Sequence, residues 1–302
     1  MWSGHHLISL DAADASQARE LLSLAHSENF AGNALNGRSI AHLFFEDSTR
    51  TRLSFSLAAQ QLGADLIEMM GKGSSISKGE TLIDTALNIE AMGVDGLVVR
   101  ASASGSAQEI SERVKIPVIN AGDGTNQHPT QALADALTIG RAFEMTSDWD
   151  FSGLRIAIVG DVVSSRVAGS NIGMLSALGA QVVLVGPRSM VPDGAQMGSC
   201  EIVHDLDAVI GEVDAAMMLR VQFERGSGDR LGSKEDYCLG YQLTSERAGR
   251  MKSGAIVMHP GPMNRGLEIV DEVADGDRSK ILDQVRHGVL VRKSALITAM
   301  SR

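Results

Sequence analysis

Arg50 and Arg52 stand in the run Ser48-Thr49-Arg50-Thr51-Arg52, between an apolar stretch ending at Phe45 and a helical pattern carrying Leu53, Leu57 and Leu62. Ser48 or Thr49 suits a helix N-cap, which leaves backbone N–H donors at the helix start. Those donors, the hydroxyls and the Arg50 guanidinium make a cradle for a phosphate at the positive end of a helix dipole. Taken alone, such a triplet reads as a capped helix with solvated arginines. A second segment weighs against that simpler reading. His128-Pro129-Thr130-Gln131-Ala132-Leu133-Ala134-Asp135 follows Asn120-Ala121-Gly122-Asp123-Gly124 and again opens a helix after a strand and a Gly-rich loop. Pro129 suits the first helical turn, and His128 and Gln131, three apart, both address one bound group. Arg100 ends the apolar run 96–99. Ligands of open α/β sheets lie beyond the carboxyl ends of the strands, where all these residues fall.

Further along, Arg166 follows Gly160-Asp161-Val162-Val163-Ser164-Ser165 and begins a helix after the apolar run 155–159. Arg220 ends the run 214–219, with Gln222 two residues on. Paired arginines present the planar forks that carboxylates accept. His259-Pro260-Gly261-Pro262-Met263-Asn264-Arg265-Gly266 reads as a rigid turn whose carbonyls at 260–262 are placed to accept from an amide. Gly73-Ser74-Ser75-Ile76-Ser77-Lys78-Gly79-Glu80-Thr81-Leu82, taken alone, is an exposed connection. Cys200 and Cys238 lie far apart with no metal-ligand spacing.

Together these segments resemble the aspartate/ornithine transcarbamylase family, and the resemblance covers nearly the whole chain. It implies that Ser48, Thr49, Arg50, Thr51 and Arg100 hold the phosphate of carbamoyl phosphate. It implies that Thr51, His128 and Gln131, with Gly261 and Pro262, reach the carbamoyl group, and that Arg50, Thr51, His128 and Lys78 carry the chemistry. The 73–82 stretch is similar to the mobile loop of the aspartate-specific members, in which a serine and a lysine enter the neighbouring subunit's site. Ser74, with Ser75 as second candidate, and Lys78 take those places. Ornithine-specific members put a cysteine after the histidine of an H-C-L-P run, whereas Pro260 follows His259 here. Lys78, Arg166, Arg220 and Gln222 match the aspartate-binding positions; ornithine's cationic side chain would call for an acid instead.

The implied reaction moves the carbamoyl group of carbamoyl phosphate to the amino group of L-aspartate, in de novo pyrimidine synthesis. Phosphate is already a leaving group, so no metal or organic cofactor is expected. The implied assembly is a homotrimer with shared active sites, to which regulatory chains or a dihydroorotase could bind.

Composition agrees with a protein of this kind. Acidic residues number 37 against 27 basic, a net charge of −10, and no Lys/Arg-rich run offers a stripe for nucleic acid. A local group of arginines still dominates the field inside a cleft. No window approaches the roughly 20 apolar residues of a membrane span. Residues 1–10 lack a signal-peptide pattern, and a cytoplasmic chain with reduced cysteines is expected.

The elements that must position these residues alternate along the chain. Solidly apolar runs at 40–45, 66–69, 96–99, 118–120, 155–159, 182–185, 214–219 and 256–258 read as strands covered on both faces. Helical patterns near 15–25, 51–62, 81–92, 129–143, 166–178 and 205–210 separate them. The expected fold is α/β: two doubly wound parallel-sheet domains with the active site in the cleft between them. The polar segment 146–152 marks the boundary, giving a carbamoyl-phosphate domain over 1–145 and an aspartate domain over 146–285. A final helix, most evident at 294–300 and extending over about 286–302, is expected to pack back on the first. The run Arg155-Ile156-Ala157-Ile158-Val159-Gly160-Asp161 also suggests a dinucleotide fold, yet G-x-G-x-x-G is missing. A binding module without activity would not need Arg50, Lys78, His128, Arg166 and Arg220 all present.

Overall fold

In a computed structural model, which describes residues 2, 3, 5–10, 15–70, 79–193, 200–222, 230 and 232–301, all eight apolar runs are strands. The chain divides into two compact units, Met1–Leu137 with Arg286–Arg302, and Thr138–Val285.

The first unit holds β1 (Trp2–Ser3), β2 (His6–Leu7), β3 (Ser39–Phe44), β4 (Asp65–Met70), β5 (Gly96–Ala101) and β6 (Val118–Asp123), in the order β1-β2-β6-β5-β3-β4. β6, β5, β3 and β4 are parallel, as the unbroken apolar runs require. β2 joins β6 in parallel through Leu7 and Ile119, and β1 pairs with β2 antiparallel at the edge. The connecting helices are α1 (Ala15–Ser27), α2 (Thr49–Gln61), α3 (Leu82–Ala91) and α4 (Ser106–Ser111). Leu43, Leu97, Val99, Ile110 and Val118 are buried together in the core. His42, on β3, is fully buried beside Phe44 and Phe55. Burial pushes it down to about 4, so it is neutral at neutral pH.

α5 (Pro129–Ala142) runs past the first unit's limit, so the division falls within that helix. Trp149, fully buried, packs on Gly140 so closely that an added Cβ would lie 2.5 Å from its ring. Both residues belong to the second unit, which begins at Thr138.

The second unit's sheet is wholly parallel, in the order β11-β10-β7-β8-β9. Its strands are β7 (Arg155–Val159), β8 (Gln181–Val185), β9 (Glu201–Val203), β10 (Ala215–Met218) and β11 (Ile256–Met258). Its helices are α6 (Arg166–Ala177), α7 (Leu206–Val209), α8 (Lys234–Tyr241), α9 (Ser245–Arg250) and α10 (Asp271–Ala274). Ser165, Ser233 and Thr244 cap α6, α8 and α9 by accepting from the backbone N–H three residues on.

The last helix, α11, spans Ile281–Met300 and is longer than the stretch read from sequence. It mixes Asp283, Arg286, Arg292 and Lys293 among apolar residues, which hides the helix from a reading that seeks apolar runs. Ser294 Oγ donates to the carbonyl of Leu21 in α1 at 2.8 Å, and Met300 lies against Gly96 of β5. Among the described residues no helix is long and apolar enough to cross a membrane.

Candidate active site

In the first sheet, β3 leads through α2 to β4 on one side, while β5 leads through α4 to β6 on the other. β3 and β5 are therefore the neighbours at which the winding reverses, the place where open sheets bind ligands. Phe44 pairs with Arg100 across that boundary, and Phe45 N donates to the Arg100 carbonyl at 2.9 Å. The register brings the turn 45–51 and Arg100 to one sheet edge. Ser48 is the N-cap of α2 with extended backbone, and its hydroxyl makes no capping bond to the helix. The donors of the first turn are thus left to another acceptor. Thr49 and Arg50 are exposed and Thr51 is buried. Arg100, 8% exposed, donates from Nη1 to the Ala121 carbonyl at 3.1 Å, with Glu46 3.7 Å from Nη2.

The strand beside β5 supplies the rest of this group. The carboxylate of Asp123, at the end of β6, accepts from Asn120 Nδ2, Gly105 N, Asn126 Nδ2 and Gln127 N at 2.7–3.1 Å. This buried acid shapes the loop that delivers His128 to the start of α5. Gly124 adopts φ +47 there, and a Cβ would fall 2.6 Å from Ser104 N. His128 is 4% exposed and its carbonyl accepts from Gln131 N at 2.9 Å. Gln131 Nε2 donates to Asp135 Oδ1 at 2.8 Å.

The second sheet repeats the device. β7 leads through α6 to β8, and β10 leads to β11 on the opposite side, so the reversal lies between β7 and β10. Arg166 opens α6 after β7 and is buried; Arg220 follows β10 and is partly buried. Gln222 Nε2 donates to the Ser164 carbonyl at 3.3 Å, joining the loops that follow the two strands.

A buried carboxylate braces this edge. Glu268, fully buried, accepts from Val221 N at 2.7 Å, Asn264 Nδ2 at 2.6 Å and Asn264 N at 2.8 Å. Asn264 Nδ2 also donates to the Val221 carbonyl at 3.0 Å. Val221 sits between Arg220 and Gln222, so one acid ties their backbone to the 259–264 turn. Burial raises the Glu268 carboxyl above its ordinary value, against the hydrogen bonds that favour its charged form. In that turn, Gly261 N donates to His259 Nδ1 at 2.8 Å, and the Gly261–Pro262 bond is cis.

The first unit therefore gathers Ser48, Thr49, Arg50, Thr51, Arg100, His128 and Gln131 at one sheet edge, and the second gathers Arg166, Arg220, Gln222, Gly261 and Pro262 at another. Ser74, Ser75 and Lys78 lie outside the described residues. Asp123, Asp135, Asn264, Glu268 and Arg292 escaped the sequence reading; so did Arg230, whose Nη1 reaches Ser164 Oγ and lies 3.9 Å from Asp161. For Asp135, the spacing of four from Gln131 was the available signal. Gly160 has a structural purpose, because a Cβ there would lie 2.8 Å from the Tyr237 hydroxyl. That packing accounts for the glycine without a dinucleotide.

Two doubly wound units, each with basic and polar groups at its winding reversal, define a two-domain α/β protein suited to anionic ligands. Residues 5–141 match the family model described as aspartate/ornithine carbamoyltransferase, carbamoyl-P binding domain, and residues 152–299 match its Asp/Orn binding domain. The chain belongs to the aspartate/ornithine carbamoyltransferase family. It is 50% identical over 281 residues to an aspartate carbamoyltransferase catalytic subunit from a Nocardioides species, covering 92% of this chain and 87% of the relative. It is 47% identical to the subunit of that name from Myxococcus xanthus, covering 96% and 98%. Among solved structures it is similar to aspartate transcarbamoylase from Trypanosoma cruzi in complex with carbamoyl phosphate and aspartate, at TM-score 0.83, 29% identity, and coverage of 97% and 96%. It is also similar to ornithine carbamoyltransferase from Pyrococcus furiosus, at TM-score 0.86, 26% identity, and coverage of 99% and 98%.

Proposed function

We propose that the chain transfers the carbamoyl group of carbamoyl phosphate to the amino group of L-aspartate, giving N-carbamoyl-L-aspartate and phosphate. The observation that carries this reading is the pairing of Phe44 with Arg100, which sets the open start of α2 and a buried arginine at one sheet edge. Ser48, Thr49, Arg50, Thr51 and Arg100 then hold the phosphate. His128 and Gln131, with backbone at Gly261 and Pro262, address the carbamoyl group. Arg166, Arg220 and Gln222 take the two carboxylates of aspartate as planar, charge-assisted contacts. Aspartate rather than ornithine is favoured by Pro260 after His259 and by relatives at 47–50% identity that carry the aspartate name.

The aspartate amine attacks uncharged, forming the C–N bond and a tetrahedral oxyanion. Thr51, His128 and Arg50 donate to that oxygen, where preorganised donors count most. The C–O bond to phosphate then breaks, and phosphate leaves with the amine proton, so no separate general base is needed. Ser74 and Lys78 serve the site of a neighbouring chain, which makes the working unit a homotrimer in the cytoplasm; regulatory chains or a dihydroorotase are candidate partners of that ring. Assay of purified protein with carbamoyl phosphate and either aspartate, ornithine or acetylornithine tests the assignment. Turnover with aspartate alone is expected, and preference for either other acceptor would overturn it.

A further inference from the structure

The side-chain amide of Gln131 is held in one sense. Its Nε2 donates to Asp135 Oδ1 at 2.8 Å, one turn further along α5. An ionised carboxylate has acceptors and no donor, so the NH2 must face Asp135 and the carbonyl Oε1 must face away. Glutamine amides in water turn over freely. This one has a single orientation as long as Asp135 stays charged.

Asp135 is fully buried, a position that an isolated carboxylate could not hold ionised. A buried cation of the same unit comes from α11. Arg292 is 4% exposed, with its guanidinium carbon 5.1 Å from the centre of the Phe55 ring. Burial pushes Arg292 down to about 10, Asp135 acts in the opposite direction, and the group stays cationic at neutral pH. Both side chains are buried in the first unit.

We propose that Asp135 is a positioning residue that fixes Gln131 as a hydrogen-bond acceptor, so that the site selects a phosphorylated ligand bearing an N–H donor. Carbamoyl phosphate has that donor in its NH2. Acetyl phosphate, of nearly the same shape, places a methyl group there and leaves Oε1 without a partner. A polar group built to meet an N–H discriminates against the analogue that lacks it. The inference rests on the reading that places the carbamoyl group at the start of α5.

The test compares wild type, Asp135→Asn, Gln131→Ala and the double variant in the KM for carbamoyl phosphate and the Ki values of acetyl phosphate and inorganic phosphate. An asparagine offers a donor as well as an oxygen, so Gln131 loses its single orientation. Asp135→Asn should raise the KM for carbamoyl phosphate about three- to tenfold while both Ki values move less than about twofold. In the Gln131→Ala background, Asp135→Asn should add nothing further to that loss of selectivity. Equal weakening of all three ligands, or losses that simply add, would show a merely structural role and overturn the proposal. If Asp135→Asn does not fold, the charge-balanced pair Asp135→Asn/Arg292→Met carries the same comparison. Failure of wild type to use carbamoyl phosphate would instead remove the functional reading beneath it, whereas wild-type turnover with unchanged selectivity in Asp135→Asn removes the positioning role alone.

Discussion

The two winding reversals hold their ligand groups by different means. In the first unit most of the groups sit at helix starts, where α2 opens with an uncapped first turn and α5 opens on His128, while Arg100 lies near the end of β5. In the second, Arg166 opens the capped helix α6, but Arg220 and Gln222 lie on irregular backbone after β10, and Glu268 with Asn264 supplies the rigidity that a helix would otherwise give. The difference matches the proposed ligands. A compact phosphate is satisfied by converging N–H donors and a dipole, which helix starts provide without side-chain ordering. A dicarboxylate has two separated charges, each wanting a fork at a set angle, so one arginine stands at a helix start while the other rides on a loop that something buried must hold.

Arg50 should give the largest effect. Arg50→Ala is expected to lower kcat about a thousandfold, since it removes charge from both the phosphate cradle and the developing oxyanion. The melting temperature should hardly move, because the residue is exposed. Near-normal turnover in a folded variant would undo the assignment of the first unit's edge.

Glu268→Gln should come next. The glutamine NH2 must face either Val221 N with Asn264 Nδ2 or Asn264 N, all of which are donors. One unmade buried hydrogen bond costs about 1–3 kcal/mol, so kcat/KM for aspartate should fall roughly 10- to 100-fold. Inhibition by inorganic phosphate should keep its constant. Equal loss of phosphate binding would mean that the two edges are not braced separately.

Arg220→Lys should be milder and narrower. An ammonium keeps the charge but not the planar double contact, and the KM for aspartate should rise about tenfold. The KM for carbamoyl phosphate should stay constant, and matched changes in both would place Arg220 elsewhere.

The strands were legible because parallel strands buried on both faces need unbroken apolar runs, and those runs survive in one dimension. The edge hairpin was not, since β2 belongs to the sheet only through Leu7 beside Ile119, far along the chain. The site residues were legible where a motif concentrates them, as in 48–52 and 128–131. The residues that support them were not. Glu268 meets Val221 across 47 positions, and Arg292, whose charge Asp135 favours, stands in the last helix. Such pairings follow from how the sheet is wound, and nothing local announces them.

The smallest signal expected is also the one that asks whether the first unit's edge is complete within one chain. If Lys78 serves a neighbouring site, Lys78→Ala and His128→Ala each yield an inactive ring for a different reason. Dissociating and reassembling the two variants together creates interfaces of four kinds. Only one kind joins an intact His128 to an intact Lys78 from the adjacent chain. With equal amounts and random reassembly in a closed ring, about a quarter of the sites should recover. Mixing without dissociation should recover none. The fraction should follow the product of the two mole fractions as their ratio is varied, a dependence that contamination by wild type would not show. If every site were built from a single chain, no ratio could restore activity, because each chain carries one lesion. Mixed rings shown to form yet inactive at all ratios would confine the site to one chain and remove the shared-site role proposed for Ser74 and Lys78.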